Sequence, residues 1–295
     1  MTATNSDKQT LITTGLFGLV GSKFDQLYGK KYACTNLDIS HPTHRVDITD
    51  FDQVQQALSQ NRAPFLLHLA AFTDVTKAWE QRDDKTGLAY KVNVEGTRNI
   101  VKACEQNKIH LIHVSTAFVF DGEKTGLYTE EDTTRPIEWY GQTKAEAEAI
   151  VQAADCPWTI LRIDFPFRSD SFVKPDIVRK TVSALEKGYP LFTDHYFGPT
   201  FIDDFAKVID WVIRTGTTGL FNASSGEQWS DFQLGERLKD ILPLPFELKA
   251  GDLDSYLKTL NRPYQRNTAL DCRKLKSQLD FSLSSIEEAL HTVIL

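Results

Sequence analysis

An apolar run, three regularly spaced glycines and an amphipathic segment follow one another within residues 11–24, LITTGLFGLVGSKF. The run before Gly15 is typical of a strand, and the segment after Gly21 is typical of a helix. In such a unit the first glycine allows a tight turn, the second lets backbone approach a phosphate, and the third lets the helix pack close to the strand. The helix N-terminus adds N–H groups and a partial positive charge. The stretch therefore predicts a turn that binds the pyrophosphate of a dinucleotide.

A carboxylate at the end of the next predicted strand, YACTNLD, bears on which dinucleotide is bound. Asp38 lies 23 residues after Gly15, where its side chain can accept hydrogen bonds from the adenosine ribose. The same charge would repel a 2′-phosphate, which favours NAD. Arg45 follows closely and could accommodate the phosphate of NADP. The sequence therefore predicts NAD or NADP, with a slight preference for NAD.

Strand-like and helix-like segments alternate along the first 168 residues. The strand-like segments are short, and PFLLHLAAF is apolar throughout, as expected for a strand that is buried on both faces. The segment AYKVNVEGTRNIVKACEQN predicts one long helix. Strands that alternate with helices form a parallel sheet covered by helices on both faces. The sequence therefore predicts an α/β fold with a Rossmann-type, doubly wound parallel sheet.

The alternation breaks after residue 168. Residues 169–195 are interpreted as two helical stretches, FIDDFAKVIDWVIRT as a helix, and GLFNASS as a strand that rejoins the sheet. From about residue 226 the pattern is helical and rich in loops. We expect an NAD(P)-binding Rossmann domain formed by residues 1–168 and about 196–225, and a smaller, mostly helical substrate-binding lobe formed by residues 169–195 and about 226–295.

Composition excludes several classes of protein. A net charge of −7 argues against nonspecific binding to nucleic acid, which needs a basic face. Apolar runs fall short of the ~20 residues that span a bilayer, and the polar start MTATNSDKQT, read as a short tail, does not resemble a signal peptide. We expect a cytoplasmic protein with no bound metal, because its cysteines are scattered without metal-ligand spacing. They are Cys34, Cys104, Cys156 and Cys272.

A series of motifs follows the glycine turn in order: VDITD, HLAAFTDV, VNVEGTRNIV, HVSTAFVFDG, WYGQTKAEAE and LRIDF. Together with TTGLFGLVG they resemble the extended short-chain dehydrogenase/reductase family. Within it, the stretches STAFVFDGEKTGLYTEEDTTRPIEWYGQTKAEAE, GPTFIDDFAKVI and RPYQRNTALDCRKL resemble the dTDP-4-dehydrorhamnose reductases and their relatives. These motifs extend from residue 14 to about residue 275, which is nearly the whole chain.

A tyrosine and a lysine four residues apart carry the predicted chemistry. Tyr140 and Lys144 lie one turn apart if WYGQTKAEAE is a helix. A neighbouring ammonium and a cationic nicotinamide favour the phenolate and lower the tyrosine pKa from about 10. The resemblance implies that Thr116 offers a hydroxyl to the substrate oxygen. It also implies that hydride passes between nicotinamide and a sugar carbon while Tyr140 gives or takes the proton.

The resemblance assigns further residues to each ligand. Asp47 and Ile48 would flank the adenine, while Ala70 and Ala71 would line the path of the cofactor. The expected cofactor-binding set is Gly15, Leu16, Phe17, Gly18, Leu19, Val20, Gly21, Asp38, Asp47, Ile48, Leu69, Ala70, Ala71, Tyr140, Lys144 and Phe165. The expected substrate-binding set is Thr116, Ala117, Phe165 and Arg262, the arginine as a ligand of a diphosphate. Asn93, His68 and His113 are interpreted as structural residues.

The substrate side departs from the rhamnose-forming reductases at three positions. Ala117 stands where those enzymes have an aspartate, Thr76 replaces another aspartate, and Phe165 occupies a position where tryptophan is frequent. The main hypothesis is an NAD(P)H-dependent reductase of a 4-keto nucleotide sugar or of a related carbonyl compound. Two alternatives stay open: a nucleotide-sugar epimerase that keeps NAD bound, and a cofactor-binding regulatory subunit resembling the methionine adenosyltransferase beta subunit. Family relatives often pair through the VNVEGT and YGQTK helices, so a homodimer is also considered.

Overall fold

The computed structural model describes residues 8–41 and 45–295 and contains a six-stranded sheet with the strand order β2-β1-β3-β4-β5-β8. Residues 1–7 of the predicted tail MTATNSDKQT lie outside the described residues. Neighbouring strands pair in parallel at β1–β2, β1–β3 and β3–β4. The sheet strands are β1 (Gln9–Thr14), β2 (Tyr32–Leu37), β3 (Phe65–His68), β4 (His110–Thr116), β5 (Trp158–Ile163) and β8 (Gly219–Asn222). The predicted Rossmann-type order of strands and helices is confirmed.

Helices connect these strands. They are α1 (Leu19–Tyr28), α2 (Phe51–Gln60), α3 (Val75–Glu80), α4 (Leu88–Tyr90), a π-helix (Lys91–Gly96), α5 (Thr97–Asn107), a 3₁₀ turn (Ala117–Val119), α6 (Trp139–Gln152) and α8 (Ile202–Thr215). The predicted long helix of residues 89–107 therefore contains a π-helical segment, a feature frequent at functional sites. Among the described residues, no helix is long and apolar enough to cross a membrane.

Burial explains why the middle of the sheet is so apolar. Leu66 and Leu67 on β3 and Leu111 and Ile112 on β4 are all fully buried, although adjacent side chains on a strand point to opposite faces. This is the pattern of a parallel strand covered on both sides. Strand β3 ends at His68, earlier than PFLLHLAAF predicts, and the next two backbone N–H groups donate to the Thr14 hydroxyl.

Residues 169–195 contain one helix, α7 (Ile177–Glu186), and the short strand β6 (Leu191–Phe192), so the prediction of two helical stretches was wrong. Pro175 disfavours helical backbone in the residue before it. Helix α7 starts directly after, where the carboxylate of Asp176 accepts a hydrogen bond from the N–H of Arg179. The remaining elements are β7 (Tyr196–Phe197), β9 (Trp229–Ser230), α9 (Asp231–Ile241), β10 (Ala250–Gly251), α10 (Leu253–Leu257), α11 (Arg273–Lys276) and α12 (Ile286–Leu290).

Contacts divide the chain into two units. The first holds the described residues of 1–115, 143–161 and 209–220, and the second holds residues 116–142, 162–208 and 221–295. Each unit has a hydrophobic core, the first around Val54, Leu66 and Ile100 and the second around Phe197, Leu234 and Ile286. The predicted boundaries at residues 168, 196 and 225 separate a part that binds the cofactor from a part that binds the substrate. This division by ligand stays a prediction.

Candidate active site

The glycine turn after β1 has the geometry that its sequence predicts. Gly15 has φ +67°, and a Cβ there would lie 2.7 Å from the backbone N of Ala70. A Cβ on Gly21 would lie 2.6 Å from the Cα of Leu16, so the start of α1 packs directly on the turn. The N–H of Gly18 donates to the carbonyl of Gly15 over 3.0 Å. The first and third glycines are therefore required by backbone conformation and by close approach.

Side chains from neighbouring strands hold this turn in place. The Asn36 Oδ1 accepts a hydrogen bond from the N–H of Leu16 over 3.3 Å. The Thr14 hydroxyl accepts from the N–H groups of Leu69 and Ala70 and lies 2.7 Å from His68 Nδ1. Burial lowers the pKa of His68 to about 3, so its imidazole is neutral and structural. The Asn36 contact gave no signal in the sequence.

The N-terminus of α1 is suited to an anion. Among the described residues, no side chain caps this helix at Gly18, and its first turn holds no acidic residue. The partial positive charge of the helix end is therefore not neutralised locally. A turn that a Cβ would fill, followed by such a helix end, fits the pyrophosphate of NAD(P). Leu19 and Val20 lie in the first turn of α1, and Leu16 is buried, whereas Phe17 is 48% exposed.

Both predicted determinants of cofactor choice lie at the end of β2. The Asp38 carboxylate accepts hydrogen bonds from the N–H and the hydroxyl of Ser40. Arg45 forms an isolated parallel bridge with Asp38, and its Nε donates to the carbonyl of Ile39 over 2.7 Å. The two residues are therefore neighbours through this backbone bridge, and the preference for NAD stays a prediction.

The predicted adenine-flanking residues differ in exposure. The Asp47 carboxylate accepts hydrogen bonds from the N–H and the hydroxyl of Thr49, which orders the turn before α2. Ile48 is buried in the core of the first unit, where a Cβ on Gly96 would meet its side chain at 2.7 Å. Ala71 is half-buried.

Lys144 is buried within the first unit, with 3% of its surface exposed. Its Nζ donates to the carbonyl of Val114 over 2.9 Å and lies 3.1 Å from His113 Nε2. Burial lowers the pKa of Lys144 to about 8, against the opposing effect of Glu148. Burial and the nearby ammonium hold the pKa of His113 well below 6.5, so a neutral imidazole can accept from the lysine. His113 is a core residue, as expected, but its contact with Lys144 was not foreseen.

The π-helix places Asn93 behind the lysine helix. Its Oδ1 accepts from the N–H of Phe72 over 2.7 Å, and its Nδ2 donates to the Thr143 hydroxyl over 2.9 Å. Thr143 precedes Lys144 on α6. The Asn93 amide therefore ties the loop after β3 to α6, which is the structural role expected from the sequence.

Thr116 and Tyr140 come together in the second unit. Thr116 ends β4, and its hydroxyl accepts from the N–H of Phe118 over 3.2 Å. Tyr140 lies in the first turn of α6, is 9% exposed, and its phenol hydrogen-bonds to Thr116. Burial raises the pKa of Tyr140 strongly, Glu138 raises it further, and Thr116 opposes both. The phenol is therefore protonated at neutral pH and can serve as a proton donor.

The other predicted substrate residues also lie in the second unit. Phe165 has φ +34°, a strained value for a residue with a side chain, and its ring centre lies 5.7 Å from that of Phe118. Ala117 is fully buried in the 3₁₀ turn. The Arg262 guanidinium is half-buried, lies 4.9 Å from the ring centre of Tyr264, and donates to the carbonyl of the following proline.

Sequence reasoning missed Glu138. It immediately precedes α6, and its carboxylate accepts hydrogen bonds from the N–H groups of Tyr140 and Gly141 over 2.7 and 2.6 Å. A carboxylate in this position caps the helix. A glutamate just before a predicted helix that carries Tyr-x-x-x-Lys was the available signal.

The fold and these residues define a class. A glycine turn after β1 of a Rossmann-type sheet, with a tyrosine and a lysine one turn apart on α6, is the arrangement of an extended short-chain dehydrogenase/reductase. The family model described as the RmlD substrate binding domain matches residues 9–295, and the chain belongs to that family.

Named relatives cover most of the chain. The dTDP-4-dehydrorhamnose reductase of Aggregatibacter actinomycetemcomitans is 28% identical over an alignment of 306 positions, which covers 96% of this chain and 97% of the relative. The probable low-salt glycan biosynthesis reductase of Haloferax volcanii is 29% identical over an alignment of 260 positions. This alignment covers 84% of this chain and 83% of the relative. The crystal structure of dTDP-4-dehydrorhamnose reductase from Bacillus anthracis in complex with NADP has a TM-score of 0.85 at 23% identity, covering 96% and 97%. This structural likeness confirms the predicted fold.

Proposed function

We propose that this protein is an NAD(P)H-dependent reductase of a 4-keto nucleotide sugar. The observation that carries the proposal is the hydrogen bond between the buried, protonated Tyr140 and Thr116, on a helix that also carries the buried Lys144. Membership of the RmlD family and relatives named as dTDP-4-dehydrorhamnose reductases support the same activity.

The side chains of the chain supply the proton chemistry of the reduction. When bound, NAD(P)H supplies the hydride. The Tyr140 phenol donates its proton to the ketone oxygen, and the Thr116 hydroxyl donates a hydrogen bond to the same oxygen. The Lys144 ammonium, four residues further along α6, would stabilise the phenolate that remains, since a neighbouring positive charge favours the ionised form of a phenol. Loss of the proton from Tyr140 balances its gain by the product alcohol.

The glycine turn and its surroundings would hold the cofactor. Gly15, Gly18 and the start of α1 would bind the pyrophosphate, and Asp38 would bind the adenosine ribose. We propose a slight preference for NAD because of this carboxylate, with Arg45 as the residue that opposes it. Arg262 would bind the diphosphate of the sugar nucleotide, and Phe165 would contact nicotinamide or sugar. A homodimer is the expected assembly, which sedimentation velocity would test.

The decisive assay follows absorbance at 340 nm with NADH or NADPH and a panel of 4-keto nucleotide sugars. We expect steady oxidation that depends on one sugar. Tyr140→Phe should abolish this oxidation and leave the cofactor Kd within a few-fold, because only the proton donor is removed. Tyr189→Phe, at a tyrosine that is 60% exposed, is the matched control and should keep full activity.

Two results would contradict the proposal. Normal turnover by Tyr140→Phe would show that another group donates the proton. Cofactor binding without oxidation of NADH or NADPH by any sugar of the panel would instead favour the epimerase or the regulatory subunit. Tightly bound NAD that is never consumed would then identify the epimerase, and capture of a partner chain would identify the regulatory subunit.

A further inference from the structure

Glu138 is a completely buried carboxylate at the start of the helix that carries Tyr140. Its two oxygens accept from the N–H groups of Tyr140 and Gly141. The first turn of α6 also packs tightly on the 3₁₀ turn, since a Cβ on Gly141 would lie 2.1 Å from the carbonyl oxygen of Phe118. Glu138 therefore fixes the backbone from which the Tyr140 side chain reaches Thr116.

The groups that face Glu138 come from two parts of the second unit. On its own helix these are the backbone N–H groups and the Tyr140 phenol; from the loop of residues 262–265 they are the Arg262 guanidinium and the Gln265 amide. Gln265 Nε2 also donates to the Phe118 carbonyl over 3.4 Å, which ties this loop to the 3₁₀ turn. Burial raises the pKa of Glu138 to about 7, although the N–H groups, Arg262 and Gln265 all oppose the shift.

We propose that Glu138 is a positioning residue that couples the protonation of its own carboxylate to the reactivity of the Tyr140 phenol. The effect of this coupling on catalysis rests on the proposed reductase function, whereas the coupling itself does not. Proton donation by Tyr140 leaves a phenolate. An ionised Glu138 places a second negative charge nearby and disfavours that phenolate, whereas a protonated Glu138 does not. Glu138 transfers no proton to the substrate.

The coupling can be measured without turnover. The full-length protein is labelled with [¹³Cζ]tyrosine, and Tyr140→Phe identifies the Tyr140 resonance among those of the nine tyrosines. In the wild type, this resonance should shift with an inflection at about pH 7 as Glu138 ionises. Glu138→Gln should abolish the inflection. Glu131→Gln makes the same change at an exposed carboxylate and should leave it in place.

A second variant keeps the test informative if Glu138→Gln does not fold. Arg262→Met removes the cation that helps to ionise Glu138, so the inflection should move to higher pH, by about half a unit or more. A Tyr140 resonance without an inflection at about pH 7 in the wild type would overturn the coupling, and so would an inflection at about pH 7 that persists in Glu138→Gln; deprotonation of Lys144 lies higher, at about pH 8.

Steady-state kinetics then test whether the protonation of Glu138 affects catalysis. In the wild type, kcat for ketone reduction should fall as pH rises through about 7, with KM for the sugar unchanged, and Glu138→Gln should lack this limb. A merely structural role would lower stability without altering the pH profile. An NMR inflection in a protein that reduces no sugar would support the coupling and contradict the reductase function, so the two failures are distinguishable.

Discussion

Replacing Lys144 with methionine should stabilise the folded protein at neutral pH, although it removes a residue assigned to catalysis. Burial lowers the pKa of this lysine from 10.5 to about 8. Such a difference corresponds to about 3 kcal/mol of cost for keeping the ammonium charged in the fold. Methionine is similar in length and has no charge to desolvate.

The lost hydrogen bonds set the opposing contribution. Lys144 Nζ donates to the Val114 carbonyl and contacts His113 Nε2, and each lost bond costs about 1 kcal/mol. The variant should therefore be about 1 kcal/mol more stable than the wild type at pH 7.

The pH dependence gives the sharper test. Below about pH 8 the lysine is charged in both the folded and the unfolded chain, so the wild type carries the full desolvation cost. Between about pH 8 and 10.5 the folded protein releases the proton first, the unfolded state binds more protons, and wild-type stability rises with pH. The advantage of the variant should therefore shrink by about 2.5 kcal/mol between pH 7 and pH 10, which reverses its sign.

Urea unfolding followed by circular dichroism at the two pH values measures this change. Lys30→Met, at an exposed lysine of the first unit, is the control, and its effect on the free energy of unfolding should be the same at both. A Lys144→Met variant that is destabilised equally at pH 7 and pH 10 would show that the ammonium is not desolvated in the fold. Loss of sugar reduction together with higher stability at pH 7 would show that the buried charge is kept for function.

Three further changes test other parts of the site. Gly15→Val should abolish NADH and NADPH binding in calorimetry, because its Cβ would collide with Ala70; unchanged affinity in a folded variant would refute the assignment of the turn. Asp38→Asn should shift the ratio of the two cofactor affinities towards NADPH by about fivefold, and Arg45→Ala should shift it the other way, as fluorescence titrations would measure. The Glu138 carboxyl, whose pKa rises from 4.5 to about 7 on folding, stabilises the protein at low pH and loses that contribution as pH rises through about 7. Glu138→Gln should therefore gain about 2.5 kcal/mol relative to the wild type between pH 5 and pH 8 in unfolding experiments.

The sequence predicted those features that depend on backbone conformation and on the periodicity of apolar residues. Alternating apolar and amphipathic segments identify the strands and helices of the sheet, because each strand is buried and each helix has one apolar face. Gly15 and Gly21 were identifiable because a positive φ and a 2.6 Å approach both exclude a side chain. The single helix of residues 169–195 was missed because the effect of Pro175 was not weighed against helical periodicity.

Contacts between side chains far apart in sequence were not predictable. Nothing in HVST reveals that His113 lies against Lys144, since 31 residues separate them. The same holds for Gln265 beside Phe118, with a separation of 147 residues. Such contacts depend on the tertiary fold, and residue spacing within one helix does not predict them.

The burial of the Tyr-x-x-x-Lys pair separates a functional motif from a chance one. A tyrosine and a lysine four residues apart occur by chance on many surface helices, where the ammonium stays in water and the phenol is exposed. Here Tyr140 and Lys144 are both almost fully buried. Glu138, two residues before the tyrosine, is buried as well and titrates near pH 7. Burying ionisable groups on both sides of the tyrosine lowers stability, and groups with strongly shifted pKa values cluster at functional sites. This arrangement supports the proposal that the phenol between them donates the proton to the ketone.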